Sequence, residues 1–208
     1  IITHKPDAII ITNPSYEGFS SDIVKICEIC RQYGVCSIID EAHGALYPFS
    51  EDLPQSAVKY ADYTIQSLHK TAGGINPTAL LHSNALNPSD ALKKISTTSP
   101  SYPMLATIEA TINYLNSSKG ERTLKKLINT IKSIRKNNNH IAFGGDDITK
   151  ILIKKDGLTG FELSEILYNK YRIEDERTNE ISTMLLTGIG TSAKQLERLD
   201  KVFQSLLH

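Results

Sequence analysis

Three short apolar runs, rich in β-branched residues, each stop at polar and reactive ones, and this repeated transition constrains the fold more than any other feature. Asp7-Ala-Ile-Ile-Ile-Thr12 ends at Asn13-Pro14, Val35 to Ile39 ends in Asp40-Glu41-Ala42-His43-Gly44, and Tyr63-Thr-Ile-Gln-Ser67 runs into Leu68-His69-Lys70-Thr71. The first of these, a continuous apolar run bounded by turn residues, predicts a strand buried on both faces, and the other two predict further strands. Between the first two runs, Ser20-Ser21-Asp22 supplies helix caps, and Ile23, Ile26, Cys27 and Cys30 follow at helical spacing until Gly34. A short helix is expected near Gln55 to Tyr60. Strand, helix, strand in repetition predicts an α/β fold with a mostly parallel sheet.

The pattern breaks at Thr97-Thr98-Ser99-Pro100-Ser101-Tyr102-Pro103, after which a helix is expected from about Met104 to Leu115. Asn116-Ser-Ser-Lys-Gly120 reads as a linker. Beyond it, Leu124, Leu127, Ile128, Ile131 and Ile134 form one helical stripe, with Lys125, Lys126, Lys132, Arg135 and Lys136 read as a solvated face. The tail predicts strand (Ile148 to Ile153), helix (Gly160 to Tyr171), strand (Ser182 to Thr187) and helix (Ser192 to Leu207). The expected division is therefore an α/β domain over 1–117 and a small α+β domain over 118–208.

Of 208 residues, 23 are Lys or Arg and 23 are Asp or Glu. A net charge of zero gives no broad electrostatic footprint for nucleic acid or an anionic membrane. No apolar run approaches the roughly 20 residues needed to cross a bilayer, and no charged-then-apolar leader opens the chain. The expectation is a soluble, cytoplasmic protein with three reduced cysteines. The chain opens on Ile1 rather than methionine and enters almost at once into a strand pattern, which reads as a piece of something longer.

In an open parallel sheet, ligands bind beyond the carboxyl ends of the strands. Thr12-Asn13, Asp40 to His43 and Ser67 to Lys70 should therefore share one rim. A lysine amine can form a Schiff base with an aldehyde cofactor, and pyridoxal phosphate acts as an electron sink when a fixed carboxylate keeps its ring nitrogen protonated. Lys70 and Asp40 meet that requirement, because their separation of thirty positions leaves room for a crossover onto a neighbouring strand. Ser67 and His69 could then donate to the cofactor phosphate, and His43 could pack near the ring or bond its phenolic oxygen. Taken singly, the same residues read as a capping aspartate, a surface lysine or an ion pair.

Five blocks in order make the reading more specific: Thr12-Asn-Pro-Ser-Tyr-Glu-Gly18, Asp40-Glu-Ala-His-Gly-Ala45, Ser67-Leu-His-Lys-Thr71 with Gly73-Gly74, Leu80-Leu-His82, and Thr97-Thr-Ser-Pro-Ser-Tyr102. They resemble the Orn/Lys/Arg decarboxylase family, and the similarity continues through Gly157-Leu-Thr-Gly-Phe-Glu162. The resemblance implies a partial PLP-transferase (aspartate aminotransferase-like) fold, made of the second half of the major domain plus the C-terminal domain. It also implies decarboxylation of arginine, lysine or ornithine to a diamine or polyamine precursor. Lys70 would carry the cofactor, Asp40 would bind its pyridinium nitrogen, and Ser67 and His69 would lie at its phosphate. Thr97 and Thr98 would reach the phosphate of a partner subunit in a homodimer. The family's ring-stacking histidine has no counterpart in this chain. Asn76-Pro77-Thr78 replaces the family's glutamine flanked by small residues, and Ile65 replaces a small residue. A complementing N-terminal chain, a non-catalytic remnant or another fold-type I enzyme such as an aminotransferase are the alternatives.

Other motifs give way to simpler readings. Asp40-Glu-Ala-His43 spells a helicase-type box, but no Gly-Lys pair supplies a phosphate loop. Gly188-Ile-Gly190 resembles a dinucleotide fingerprint, and a capping box from Ser192 to Gln195 explains it better. Cys27 and Cys30 read as buried packing within a helix, and no metal site is expected. His4, His82, His140 and His208 read as structural or exposed, and Glu174-Asp175-Glu176 as a solvated loop.

Overall fold

β1 (Ala8–Thr12), β2 (Cys36–Asp40) and β3 (Tyr63–Ser67) run parallel, side by side, in the computed structural model, which describes residues 3–4 and 6–206. Thr12 pairs with Asp40 and Asp40 with Ile65, so β1 and β2 end level with one another and β3 runs two residues further, to Ser67. Antiparallel β4 (Ala79–Ser83) closes the sheet, with Ser67 opposite Ala79. The sequence shows β4 only as the motif Leu80-Leu-His82, because its alternating exposure makes no apolar run.

The helix between β1 and β2 is α1 (Ile23–Gln32), capped by the Asp22 carboxylate, which accepts from the Lys25 N–H. Its Ile23 and Cys27 pack with Ile39, Ala57 and Ala61 in a core on one face of the sheet. Burial pushes the Cys27 and Cys30 thiols up, as expected of packing residues rather than reactive ones. The other face is open. Ile10 is 75% exposed, and β1, the edge strand, is half-buried at best. The expectation that β1 is buried on both faces is therefore corrected: a parallel strand is covered on both sides only where elements pack on both sides, and here α1 and the segment from Ala57 to Ala61 pack on one side.

The chain divides into two compact units. The first comprises the residues up to Ser15 together with Ser20–Glu121, and includes α2 (Leu68–Thr71), α3 (Ser89–Ile95) and α4 (Tyr102–Leu115). The stretch read as a linker is mostly helix. Only Asn116 and Ser117 separate α4 from α5 (Ser118–Asn137), and the Ser117 hydroxyl accepts from the Gly120 N–H.

The second unit comprises Tyr16–Phe19 and the chain from Arg122 onward. It holds an antiparallel sheet in the order β5 (Ala142–Phe143), β6 (Lys150–Ile153), β8 (Thr183–Leu186), β7 (Arg177–Thr178), with α6 (Gly160–Tyr171) and α7 (Ala193–Ser205). β5 and β7 are two residues each, too short to leave a periodic signal. Thr159 with Glu162 and Ser192 with Gln195 form capping boxes, so the Gly188-Ile-Gly190 segment serves a helix start. Leu207 and His208, included in the expectations above, lie outside the described residues.

Two surface readings change. Arg135 is half-buried, and its guanidinium donates to the backbone carbonyls of Gly145 and Lys150 rather than joining a solvated face. The acidic run is not a free loop either. Asp175 accepts from Ser164 and Thr178, and Glu176 accepts from the Tyr16 hydroxyl at 2.5 Å. Burial opposes ionisation of Asp175, but these hydrogen bonds outweigh it and hold the carboxyl below its ordinary value.

Candidate active site

Asp40 ends β2, and Lys70 lies in α2, which begins at the residue after β3. Because β2 and β3 are parallel neighbours, both side chains belong to the same end of one sheet. Asp40 is half-buried, and its Oδ1 accepts from the Ala42 N–H at 3.0 Å. Its Oδ2 and the half-buried Lys70 amine have no hydrogen-bond or ion-pair partner among the described residues. Ser67, on the same side of the sheet as Asp40 by strand alternation, N-caps α2 through its backbone only, so its hydroxyl is not spent on the cap. His43 is buried, at 7% exposure, in the turn that follows β2.

Asn13 joins this rim from β1. Its N–H donates to the Asp40 carbonyl at 3.0 Å, and its Oδ1 accepts from the Ser21 N–H at 2.8 Å. Its Nδ2 is buried without a partner among the described residues. A buried unpaired donor costs free energy unless something accepts from it, so the rim offers a donor, an uncommitted carboxylate oxygen and an uncommitted amine.

The residue after Asp40 locks the rim in place. Glu41 is fully buried. Its carboxylate accepts from Ser56 Oγ at 2.7 Å, from the Ala57 N–H at 2.6 Å and from Gln66 Nε2 at 2.6 Å. Gln66 Oε1 in turn meets His82 Nε2 at 3.0 Å. With the Gln66 amide so oriented, the hydrogen lies on His82 Nε2. Burial pushes Glu41 up and the His82 imidazole down. Gly44 is required here by space, since a Cβ would lie 2.5 Å from Glu41 Cγ and 2.8 Å from the Tyr47 ring. The sequence reading gave Glu41 no role. The available signal was parity: Thr64 and Gln66 are polar at the positions of β3 that face the covered side.

His69 is turned toward the chain rather than left free. Its Nδ1 lies 2.9 Å from the Thr78 carbonyl and 3.3 Å from the Thr78 amide, while the Leu68 N–H donates to the same carbonyl. Asn76-Pro77-Thr78 thus folds back onto α2. Gly74 permits this approach, because a Cβ there would lie 2.5 Å from Thr78 Oγ1. Thr97 and Thr98 are exposed between α3 and α4, with Thr97 Oγ1 accepting from the Ser99 N–H. No hydrogen bond joins them to Asp40 or Lys70 among the described residues. No group of three or more His, Cys, Asp or Glu among the described residues could hold a metal.

The sequence profile described as Orn/Lys/Arg decarboxylase, major domain, matches residues 2–155, which includes every residue of this rim. The chain belongs to the Orn/Lys/Arg decarboxylase family. Among curated members, an arginine decarboxylase of Bacillus anthracis is 27% identical over 220 residues, covering 95% of this chain and 44% of that protein. The chain spans less than half the length of the curated relatives it matches. Its fold is similar to part of the Escherichia coli constitutive lysine decarboxylase, with a TM-score of 0.81 at 17% identity over 97% of this chain and 37% of that one. A structure of SPT with PLP matches with a TM-score of 0.71 at 13% identity, over 95% of this chain and 54% of that one. The fold class is therefore a partial fold-type I arrangement, as the family resemblance implies.

Proposed function

We propose that this chain carries the lysine and aspartate of a pyridoxal phosphate-dependent decarboxylase that acts on arginine, lysine or ornithine and releases CO2 with a diamine or polyamine precursor. The observation that carries the reading is the placement of Asp40, at the end of β2, and Lys70, in the helix that follows β3, at the same end of two neighbouring parallel strands, each with an uncommitted functional atom. The rim residues fit the group. Pyridoxal phosphate, when bound, supplies an electron sink for the bond that breaks. Asp40 Oδ2 would hold the proton on the ring nitrogen, while Ala42 fixes the other carboxylate oxygen. Lys70 would attach the cofactor through its amine and afterwards hold or deliver a proton. Ser67 and His69 would hold the phosphate, His69 through the nitrogen not turned to Thr78. His43 would pack near the ring.

Thr97 and Thr98 would serve the site of a second subunit. Supporting this, the same stretch of sequence carries exposed apolar side chains at Ile95 (83% exposed), Tyr102 (78%) and Leu105 (47%). A domain division at 1–117 and 118–208 and a cytoplasmic location complete the proposal. A second reading is favoured by the open face of the first sheet, where Ile10 and Leu81 meet solvent. In that reading the chain acts only with further polypeptide laid over this face, and alone it is not catalytic.

The test is to add pyridoxal phosphate to the purified chain, follow the absorption of the bound cofactor, and assay CO2 release from each of the three amino acids. Binding with CO2 release supports the decarboxylase, binding with keto acid instead supports an aminotransferase, and binding without turnover supports the second reading. Absence of binding overturns the proposal.

A further inference from the structure

The second unit contains a cleft that the decarboxylase chemistry does not use. Where the end of α6 meets α7, Lys170, Tyr171, Arg172, Arg198, Lys201 and Ser205 line a cavity of about 440 Å³. Val202 completes the lining, so four of the seven side chains are cationic and none is acidic, in a protein whose formal charge is zero. None of the four cations forms an ion pair among the described residues.

Cations at the end of a helix are commonly explained by the helix dipole, and that accounts for Lys170 and Arg172 at the end of α6. It does not account for Arg198 and Lys201, which come from α7 and outside its last turn. A single solvated face also fails to explain them. The cations around the cavity of about 560 Å³ on α5 (Arg122, Lys125, Lys126) all belong to one helix, whereas here two elements bring like charges together. All four are exposed, so water and salt screen most of their mutual repulsion, and an anion bridging them is held most strongly at low ionic strength.

The cleft is also ordered in advance. The Arg198 guanidinium donates to the Tyr171 carbonyl, which fixes its position. The Lys170 amine lies 5.2 Å from the centre of the Tyr171 ring. Ser205 donates to the Tyr171 hydroxyl at 2.9 Å, and this bond together with Lys170 lowers the phenol below its ordinary value. Arg172 has φ 54° and ψ 42°, the one non-glycine residue with positive φ among the described residues. The position closes α6, where glycine is the usual choice, so an arginine is held there at a conformational cost.

We propose that this cleft binds a small polyphosphate anion, its adjacent phosphates bridging the cations of α6 to those of α7. Inorganic triphosphate and ATP are the probes, titrated calorimetrically into the 208-residue chain at low and at moderate salt. The expected result is saturable 1:1 binding, weaker at higher salt, with affinity falling at least tenfold in the Arg172→Gly/Lys201→Gln double variant. Arg172→Gly places glycine where the backbone favours it, so the variant should fold with an unchanged or higher thermal midpoint. A Lys125→Gln/Lys126→Gln variant on α5 should bind as the parent does. ATP binding as tightly as triphosphate, or more tightly, supports the assignment, the latter placing the base against Tyr171. Four results would overturn it: no saturable binding, equal affinity in the double variant, equal loss in the α5 variant, or orthophosphate binding as tightly as triphosphate.

Discussion

Replacement of Glu41 tests whether the network behind the rim holds the first unit together. Oε1 accepts from Ser56 and Gln66, and Oε2 from the Ala57 N–H, all at 2.6–2.7 Å. Glu41→Gln preserves the shape, but its amide nitrogen must face at least one of these donors, and one buried donor left unpaired costs about 1–3 kcal/mol. Glu41→Leu orphans all three donors. The relief of removing a buried charge offsets part of that loss, leaving about 3–5 kcal/mol, as for other broken buried charge networks. Because burial raises the folded-state pKa of Glu41, the folded protein holds that proton more tightly than the unfolded chain does. The corresponding stability is fully present below the ordinary carboxylate value and is lost as pH rises through the raised one. Guanidinium chloride unfolding followed by circular dichroism, at several pH values across that window, measures both effects. The Gln variant should lose the pH-dependent part and the Leu variant should show the larger drop at neutral pH. A Leu variant as stable as the parent, or a Gln variant with the parent's pH dependence, would refute the reasoning.

The buried ion pair of the second unit gives a related expectation. Lys150 Nζ lies 2.5 Å from Asp147 Oδ2, both side chains fully buried, so Lys150→Met should cost about 3–5 kcal/mol in chemical unfolding. Ser192→Ala removes the acceptor for the Gln195 N–H at the start of α7 and should cost about 1 kcal/mol, read as a lowered thermal midpoint. Gly74→Ala drives a Cβ into Thr78 Oγ1 and toward Leu68, and should destabilise the first unit by about 1–3 kcal/mol while loosening the α2 segment in hydrogen exchange.

The placement of Asp40 and Lys70 at one end of the sheet was legible because each lies at or just beyond the end of a strand, and parallel topology brings such ends together. Cys27, Cys30 and the Ser192 cap were legible for a local reason, their spacing within one helix. What was missed depends on partners distant in sequence. Glu41 is explained only by Ser56, Ala57, Gln66 and His82, and Arg135 only by the carbonyls of Gly145 and Lys150. Asp175 looked solvated because Ser164 lies a helix away. The exposure of β1 was illegible for the opposite reason: its letters describe a strand suited to burial, but not whether anything covers it.

The central claim is that Lys70 is the amine that takes the cofactor and that Asp40 faces the same site. Borohydride reduction of the chain equilibrated with pyridoxal phosphate, followed by digestion and peptide mass spectrometry, tests it most directly. The account predicts one dominant phosphopyridoxyl-modified peptide, containing Lys70, absent in Lys70→Ala and markedly depleted in Asp40→Ala. Labelling spread over the surface lysines, or undiminished in either variant, would contradict it.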